Sequence, residues 1–257
     1  MNVTGPPMKC LILAAGRGSR LSITEHPKPL IPLLGLPLIE RVILTAHNAG
    51  LIHFYVVTGH QGERVRHALE RLSRTRKIRI THIINDEWDK ENGLSVYKAK
   101  DLLHEDFIIL MADHIFDEAI LRNVKDQVIA EDEVLLAVDY NVEGNSLVDL
   151  DDVTKVLIEH DRILDIGKNI PRYNAYDTGI FLCSPAIFTA IEESAQGGDT
   201  SLSGAIKVMA QLQKVKAFDI KDDYWIDVDD YHTFRKAEKL LLTGWKETPP
   251  IWYRDAK

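Results

Sequence analysis

Cysteine is scarce in this 257-residue sequence: Cys10 and Cys183 are its two cysteines, and both lie in apolar runs. That excludes a disulfide framework and reads as buried thiols in a reducing, cytoplasmic setting. No stretch approaches the ~20 apolar residues that a membrane-spanning helix needs. Residues 1–7 are short, polar and proline-bearing, unlike a secretory leader, and read as a loose extension. Internal repeats and low-complexity tracts are missing. The 10 histidines are scattered, with no i, i+4 pair to grip a metal. Positive charge is in deficit, with 31 Lys and Arg against 39 Asp and Glu. The resulting net charge of −8 argues against a nucleic-acid partner held by general attraction. What remains is an ordinary globular composition, 45% hydrophobic and 27% charged. No linker interrupts it, so a single domain is expected over residues 8–257.

Strand-like and helix-like segments alternate along the chain. Strands are expected at 9–14, 53–58, 77–84 and 107–111, and helices at 37–49, 63–74 and 93–103. The run 107–111 is apolar throughout, as in a strand buried on both faces. Helices are then expected at 121–130, 185–193, 201–212 and 231–242, and strands at 133–138, 178–183 and 215–220. Residues 154–159 and 162–166 read as a hairpin around His160-Asp161, and 225–229 as a short extended piece. The pattern predicts an α/β fold: a Rossmann-like, mixed, mostly parallel sheet flanked by helices. The second half is expected to lay an antiparallel flap over the first. In such sheets ligands sit at the carboxyl ends of the strands. Three polar clusters fall there: the loop at Gly16, Gly59-His60-Gln61, and Asp113.

The first of these carries the most chemistry. The run Cys10 to Ala15 stops at Gly16-Arg17-Gly18-Ser19-Arg20, with Lys28-Pro29 following. Small residues let backbone N–H groups approach anionic oxygens, and arginines neutralise them, so the loop suits phosphates. It has no Gly-Lys-Ser/Thr close and no third glycine of a dinucleotide fingerprint. At the end of the fourth expected strand, an unpaired Asp113 carboxylate would be costly to bury. Alternation puts Asp227 and Asp229 on one side of their extended segment, with Ile226 and Val228 on the other.

Leu13-Ala14-Ala15-Gly16-Arg17-Gly18-Ser19-Arg20-Leu21, followed by Lys28-Pro29-Leu30, resembles the signature of the nucleotidyltransferases that join a nucleoside triphosphate to a sugar or polyol phosphate. Glu91 to Tyr97 is similar to the stretch that cytidylyltransferases carry beside base and ribose. The later segments narrow the resemblance to the branch acting on CTP and inositol 1-phosphate, with choline-phosphate, uridylyl- and thymidylyltransferases and a non-catalytic nucleotide-sugar sensor as alternatives. The resemblance implies Mg²⁺ held by Asp113 and Asp229, with Asp227 in support. It implies Arg17 and Lys28 on the triphosphate, with backbone from Leu13, Ala14, Ala15, Gly16, Gly18 and Ser19 around the nucleotide. Gln61, Asn92, Gly93 and Ser95 are the candidates for reading the base. Lys168 resembles the lysine placed against the acceptor phosphate, with Lys155 a weaker alternative. Asp177-Thr178-Gly179 resembles the strand that closes the acceptor pocket, where Asn174, Asp177 and Thr178 would read hydroxyls. Tyr173, Tyr176 and Trp225 would be the material for an aromatic cage if the acceptor were choline phosphate. Expected partners are small molecules, CTP and a phosphorylated polyol. Relatives often continue into a membrane-embedded CDP-alcohol transferase, which could begin in the tail after Gly244; a homodimer is compatible with all of this.

Overall fold

The computed structural model describes residues 7–21 and 26–244. The tail residues Trp245, Ile251, Trp252 and Tyr253, and all but the last residue of the expected N-terminal extension, lie outside the described residues.

The chain runs β1 (Lys9–Ala14), a 3₁₀ turn at Ser19–Leu21, another at Lys28–Leu30, β2 (Pro32–Leu33), β3 (Leu36–Pro37) and α1 (Leu38–Asn48). It continues through β4 (His53–Thr58), α2 (Gly62–Arg76), β5 (Arg79–Ile84), α3 (Asn92–Tyr97), β6 (Phe107–Met111), β7 (His114–Phe116) and α4 (Glu118–Lys125). The second half holds β8 (Val134–Asp139), β9 (Lys155–Glu159), β10 (Arg162–Gly167), β11 (Ala175–Cys183), α5 (Ala186–Gln196), α6 (Leu202–Gln211), β12 (Val215–Asp219), β13 (Trp225–Asp227) and α7 (Tyr231–Thr243).

Nine strands form one mixed sheet in the order β5-β4-β1-β6-β11-β8-β12-β10-β9. The first four are parallel, as their apolar runs and intervening helices require. β11 enters antiparallel between β6 and β8, and the β9–β10 hairpin closes the far edge. β11 also pairs with β9, so the hairpin folds back over the sheet as the expected flap. Alternation along β1 sends Leu11 and Leu13 to one face and Cys10, Ile12 and Ala14 to the other, and each face has its own buried cluster. Both cysteines are buried and free, and burial pushes both thiols far up. Among the described residues no helix is long and apolar enough to cross a membrane.

Several boundaries differ from expectation for local reasons. The first long helix begins at Leu38, not Pro37, because Pro37 is held in a small hairpin opposite Pro32. The helix expected at 93–103 keeps regular geometry only to Tyr97 and then tightens into successive turns. The helix expected from Leu121 starts at Glu118 because the Asp117 carboxylate accepts from the Ala119 N–H and caps it. Three short strands are absent from the expectation: β2 and β3, which form the small hairpin before α1, and β7. β7 pairs antiparallel with β13, setting Asp227 opposite His114 and Ile226 opposite Ile115. This short ribbon decides where the late acidic segment goes, and the Val228 N–H donates to the Asp113 carbonyl at 3.1 Å to extend it.

Candidate active site

Two adjoining clefts open at the carboxyl ends of β1 and β6. The first is lined by the β1 end and its loop: Leu13, Ala14, Gly16, Gly18, Ser19, Arg20, with Lys28 and Pro29. The second lies under the flap, between Asn92, Lys168, Asp177, Gly179 and the loop from Leu147 to Thr154. Asp113 and Asp229 line both, so they mark the junction.

Lys28 occupies that junction. It is only 6% exposed, and its Nζ donates to Asp113 Oδ2 at 2.5 Å and to Asp229 Oδ1, with Asp227 Oδ1 3.9 Å away. Burial alone would lower the Lys28 ammonium's pKa, but the carboxylates of Asp113, Asp227 and Asp229 reverse that and raise it well above its ordinary value. Burial likewise opposes the charged Asp113 and Asp229, and Lys28 outweighs it, holding both carboxyls below the usual range. Gly18 explains the spacing of the motif. It sits at φ +61°, and a Cβ there would fall 2.5 Å from the Lys28 Cβ. The glycine makes room for the lysine stem as much as for a ligand. Gly16 has open space around its Cβ position.

Asp227 and Asp229 face the clefts as alternation predicts, while Ile226 and Val228 are buried beneath them. Helix capping falls to a different residue: Asp230 and Thr233 form a reciprocal capping box for α7 and leave Asp229 to the site. Asp227 Oδ1 is buried and has no hydrogen-bond partner. Burial pushes the Asp227 carboxyl up despite the neighbouring His114. Such an orphaned oxygen beside two further carboxylates is a fitting donor set for a hard divalent cation. Two groupings satisfy the geometry, Asp113 with His114 and Asp227, and Asp152 with Asp227 and Asp229. Asp227 belongs to both, a more central place than its supporting role in the sequence reading.

His114 is mostly enclosed, with Nδ1 2.8 Å from the Thr178 carbonyl and Nε2 3.5 Å from Asp227 Oδ2. Burial disfavours its charged form, but Asp227 and Asp113 prevail and raise the ring to about 10. Both ring nitrogens face acceptors, the Thr178 carbonyl at Nδ1 and Asp227 at Nε2. Gly179, at φ +76°, is what admits the ring: a Cβ there would stand 2.4 Å from His114 Nδ1.

The remaining expected residues divide. Leu13, Ala14, Gly16, Gly18, Ser19 and Lys28 line the first cleft, and Asn92, Lys168, Asp177 and Gly179 line the second. Arg17 is exposed and outside both linings; Arg20 takes the place expected of it. Arg20 reaches Asp229 at 2.5 Å and Asp152 at 2.7 Å. Gln61 is exposed, and its amide oxygen accepts from Arg64 at 2.7 Å. Ser95 is buried against the Asn85 amide, and Gly93 is pressed against Thr200 and Ser201, where a Cβ would not fit. Asn92 Oδ1 accepts from the Leu202 N–H at the start of α6. These three tie α3 to its neighbours, so hydrogen bonding within the fold uses groups that the sequence offered for the base. Asn174 is bound through both ends of its amide to the Ile158 backbone, and Thr178 donates its hydroxyl to the Ala137 carbonyl; neither side chain lines the second cleft. Tyr176 is buried with its hydroxyl on the Val142 carbonyl, and Tyr173 lines a separate groove. Lys155 donates to the Lys168 carbonyl at 3.2 Å and supports that residue from behind. Asp152 is the residue the sequence reading passed over. Nothing in its acidic loop distinguished it from Asp149 or Asp151, and only the fold brings Arg20 and Lys168 to it.

Comparison with known proteins gives the family and the fold. A family model described as "MobA-like NTP transferase domain" matches residues 10–213. A protein of Rubrobacter xylanophilus named "Bifunctional IPC transferase and DIPP synthase" is 33% identical over 236 residues, which cover 91% of this chain and 52% of that protein. A protein of the same name from Aquifex aeolicus is 30% identical, covering 90% of this chain and 51% of its own length. The chain thus spans about half the length of these curated relatives. Among solved structures, the inositol-1-phosphate CTP transferase from T. maritima superposes with a TM-score of 0.81 at 24% identity, covering 93% of this chain and 96% of that one. A UDP-glucose pyrophosphorylase bound to UDP-glucose gives 0.75 at 19% identity, covering 92% and 99%. At those identities the two structures speak to the fold.

Proposed function

Because this chain belongs to the MobA-like NTP transferase family, and so is a nucleotidyltransferase, we propose that it joins CTP to inositol 1-phosphate, giving CDP-inositol and pyrophosphate. The observation that carries the reading is the meeting of two clefts at Asp113 and Asp229, one rimmed by the glycine–arginine loop and the other by Lys168. Each cleft suits an anion, and a transfer between two phosphates needs both held end to end.

In this reading the first cleft takes the triphosphate. Backbone from Gly16 to Ser19 approaches its oxygens, while Arg20 and Lys28 oppose the charge that develops on the leaving pyrophosphate. Arg17 is exposed at the rim and reserved for the outer phosphates. Lys168 meets the acceptor phosphate, whose oxygen attacks the α-phosphorus in line. Asp113, Asp227 and Asp229 would hold Mg²⁺, which supplies charge neutralisation and orientation of phosphate oxygens when bound. His114 keeps Asp227 in place from behind. Asn92 and Asp177 present polar atoms to the acceptor's hydroxyls. A quaternary-ammonium acceptor is disfavoured, since of Tyr173, Tyr176 and Trp225 only Trp225 lines the second cleft, and one ring does not make a cage. A non-catalytic sensor is disfavoured because Arg17, Lys28, Asp113 and Asp229, the residues such a sensor would be expected to lose, are all present in the sequence. The product, an activated polyol, suits consumption by an alcohol-phosphate transferase, supplied by a partner or by a further segment such as the relatives' other half.

The test is pyrophosphate release from purified protein with Mg²⁺, using CTP, UTP and dTTP against inositol 1-phosphate, glucose 1-phosphate and choline phosphate. Turnover confined to CTP and inositol 1-phosphate is expected. Turnover with another pair would reassign the base or acceptor, and none with any pair would sink the enzyme reading. In parallel, the triphosphate that raises Tm most names the base.

A further inference from the structure

The Asp152 carboxylate is shared by one cation from each cleft. Arg20 Nη1 donates to its Oδ2 at 2.7 Å, and Lys168 Nζ donates to its Oδ1. The two cations are half-exposed at 51% and 53%, whereas Asp152 is 24% exposed, so the carboxylate is the more enclosed partner. Its loop is built to hold it. The N–H groups of Asp152 and Val153 both donate to the Asp149 carbonyl, and Leu147, at the start of the turn, is buried in the third apolar cluster with Leu21 and Val228. The carboxylate is thus anchored beneath both the glycine–arginine loop and the acid-bearing segment.

Arg20 and Lys168 are long side chains whose loops present them to two different anions. In the ligand-free protein both face the Asp152 carboxylate, and Arg20 also holds Asp229. We propose that Asp152 is an internal counter-ion standing in for both substrate phosphates, so that each substrate binds by exchanging a protein carboxylate for its own phosphate. The proposal rests on the reading that the first cleft takes a triphosphate and the second an acceptor phosphate. It makes Asp152 a specificity-determining residue that touches the cations, not the reacting atoms. A dianionic phosphate monoester displaces the carboxylate more readily than a monoanion does, because its attraction to Lys168 is larger. It also couples the clefts: a triphosphate that draws Arg20 away leaves Asp152 with one partner, and an acceptor phosphate frees it for Arg20.

The test uses the whole chain without Mg²⁺ and titrates inorganic phosphate and pyrophosphate by calorimetry. Asp152→Asn keeps the shape but removes the charge and leaves one acceptor oxygen where there were two, and Asp152→Ser repeats the removal with a smaller side chain. Each variant is expected to bind both anions about five- to tenfold more tightly at low salt, since removing a carboxylate in contact with two cations strips away competition. The gain should shrink in 0.5 M KCl, because half-exposed charges are screened there (a Debye length of roughly 4 Å). Asp152→Glu should stay near wild type. Unchanged or weaker phosphate binding in both neutral variants would overturn the proposal and leave Asp152 as scaffolding. A loss of Mg²⁺ affinity in those variants would also overturn it, making Asp152 a metal ligand with Asp227 and Asp229. Absence of wild-type turnover with every nucleotide and acceptor would count against the function above, while the phosphate titrations would still decide the role of Asp152.

Discussion

Replacing Lys28 with Met tests the centre of the site. The ammonium is 6% exposed and bonded to Asp113 and Asp229, with Asp227 3.9 Å away. Methionine fills most of the same space but strands three carboxylates against one another. Removing one partner of a buried ion pair costs about 3–5 kcal/mol. Here the Asp113 and Asp229 side chains remain 27% and 22% exposed, so water recovers part of the loss. A destabilisation of about 2–3 kcal/mol in urea titration without divalent ions is the expected figure. Mg²⁺ should then separate the two proteins. In the wild type the cation shares its carboxylates with an ammonium, whereas in Lys28→Met it meets them uncompensated. Mg²⁺ at a hundredfold excess over its Kd stabilises by about 2.7 kcal/mol, so it should restore most of the variant's loss. The wild type should move less at the same concentration. Pyrophosphate release should fall by about a hundredfold or more even at saturating Mg²⁺, since a preorganised charge at the transferring phosphate is gone. A loss under about 0.5 kcal/mol with no Mg²⁺ dependence would refute the reasoning, because the aspartates would then not depend on Lys28.

Gly18→Ala should mimic part of this effect from the opposite side, since its Cβ would press 2.5 Å from the Lys28 Cβ at a positive φ; CTP-induced stabilisation measured by thermal melt should fall. Gly179→Ala should push His114 off Asp227, lowering kcat by about tenfold or more while leaving CTP binding by calorimetry near wild type. Asp230→Ala and Asp229→Asn should part company: the first loses a capping box, about 1 kcal/mol in urea midpoint, and keeps its turnover, while the second loses turnover and Mg²⁺ affinity. Glu133 offers a pH test away from the site. Burial works against its charge, but Lys216, the Ala130 N–H and Arg162 hold its carboxyl down at about 2, against an unfolded value of 4.5. A depressed folded pKa contributes stability above pH 4.5 that disappears as pH falls towards 2. Glu133→Gln should therefore cost about 2–3 kcal/mol at pH 7 and nothing near pH 2, read from urea midpoints across pH.

The sequence showed local order well and long-range order poorly. Apolar runs and their punctuation gave the parallel strands, because a strand buried on both faces needs only its own residues to announce itself. The glycine–lysine motif was legible because Gly18 and Lys28 depend on each other physically, so their spacing encodes a contact. Alternation correctly turned Asp227 and Asp229 to one side. Sequence and structure part where a local role and a ligand role use the same residue type. Ser95 and Asn174 are polar groups suited to a ligand that bond to Asn85 and Ile158 within the fold, while Asn92 gives its Oδ1 to the Leu202 N–H and still lines the second cleft. Arg17 and Arg20 lie on one loop with equal claims by composition, and only the path through the 3₁₀ turn at Ser19–Leu21 turns Arg20 inward. β7 escaped notice because three residues carry no periodicity of their own; it exists through pairing with a strand more than a hundred positions away.

The charges around the junction alternate in space: Asp113, Lys28, Asp229, Arg20, Asp152, Lys168 form one chain of contacts across both clefts. Asp227 and His114 join this chain at its inner end, with Asp227 Oδ2 3.5 Å from the ring. A protein that must bring two polyanions together cannot simply collect cations, because unneutralised buried charge is costly before any ligand arrives. Interleaved aspartates solve this by keeping each cation paired and in place. They also set the conditions for binding, since a phosphate must replace a carboxylate that the cation already holds. Hydroxyls alone cannot do so, and neither can a lone monoanion at ordinary concentration. Under the proposed function, selectivity for phosphorylated acceptors follows from exchange between anions, while the polar lining around Asn92 and Asp177 is left to distinguish one phosphorylated polyol from another.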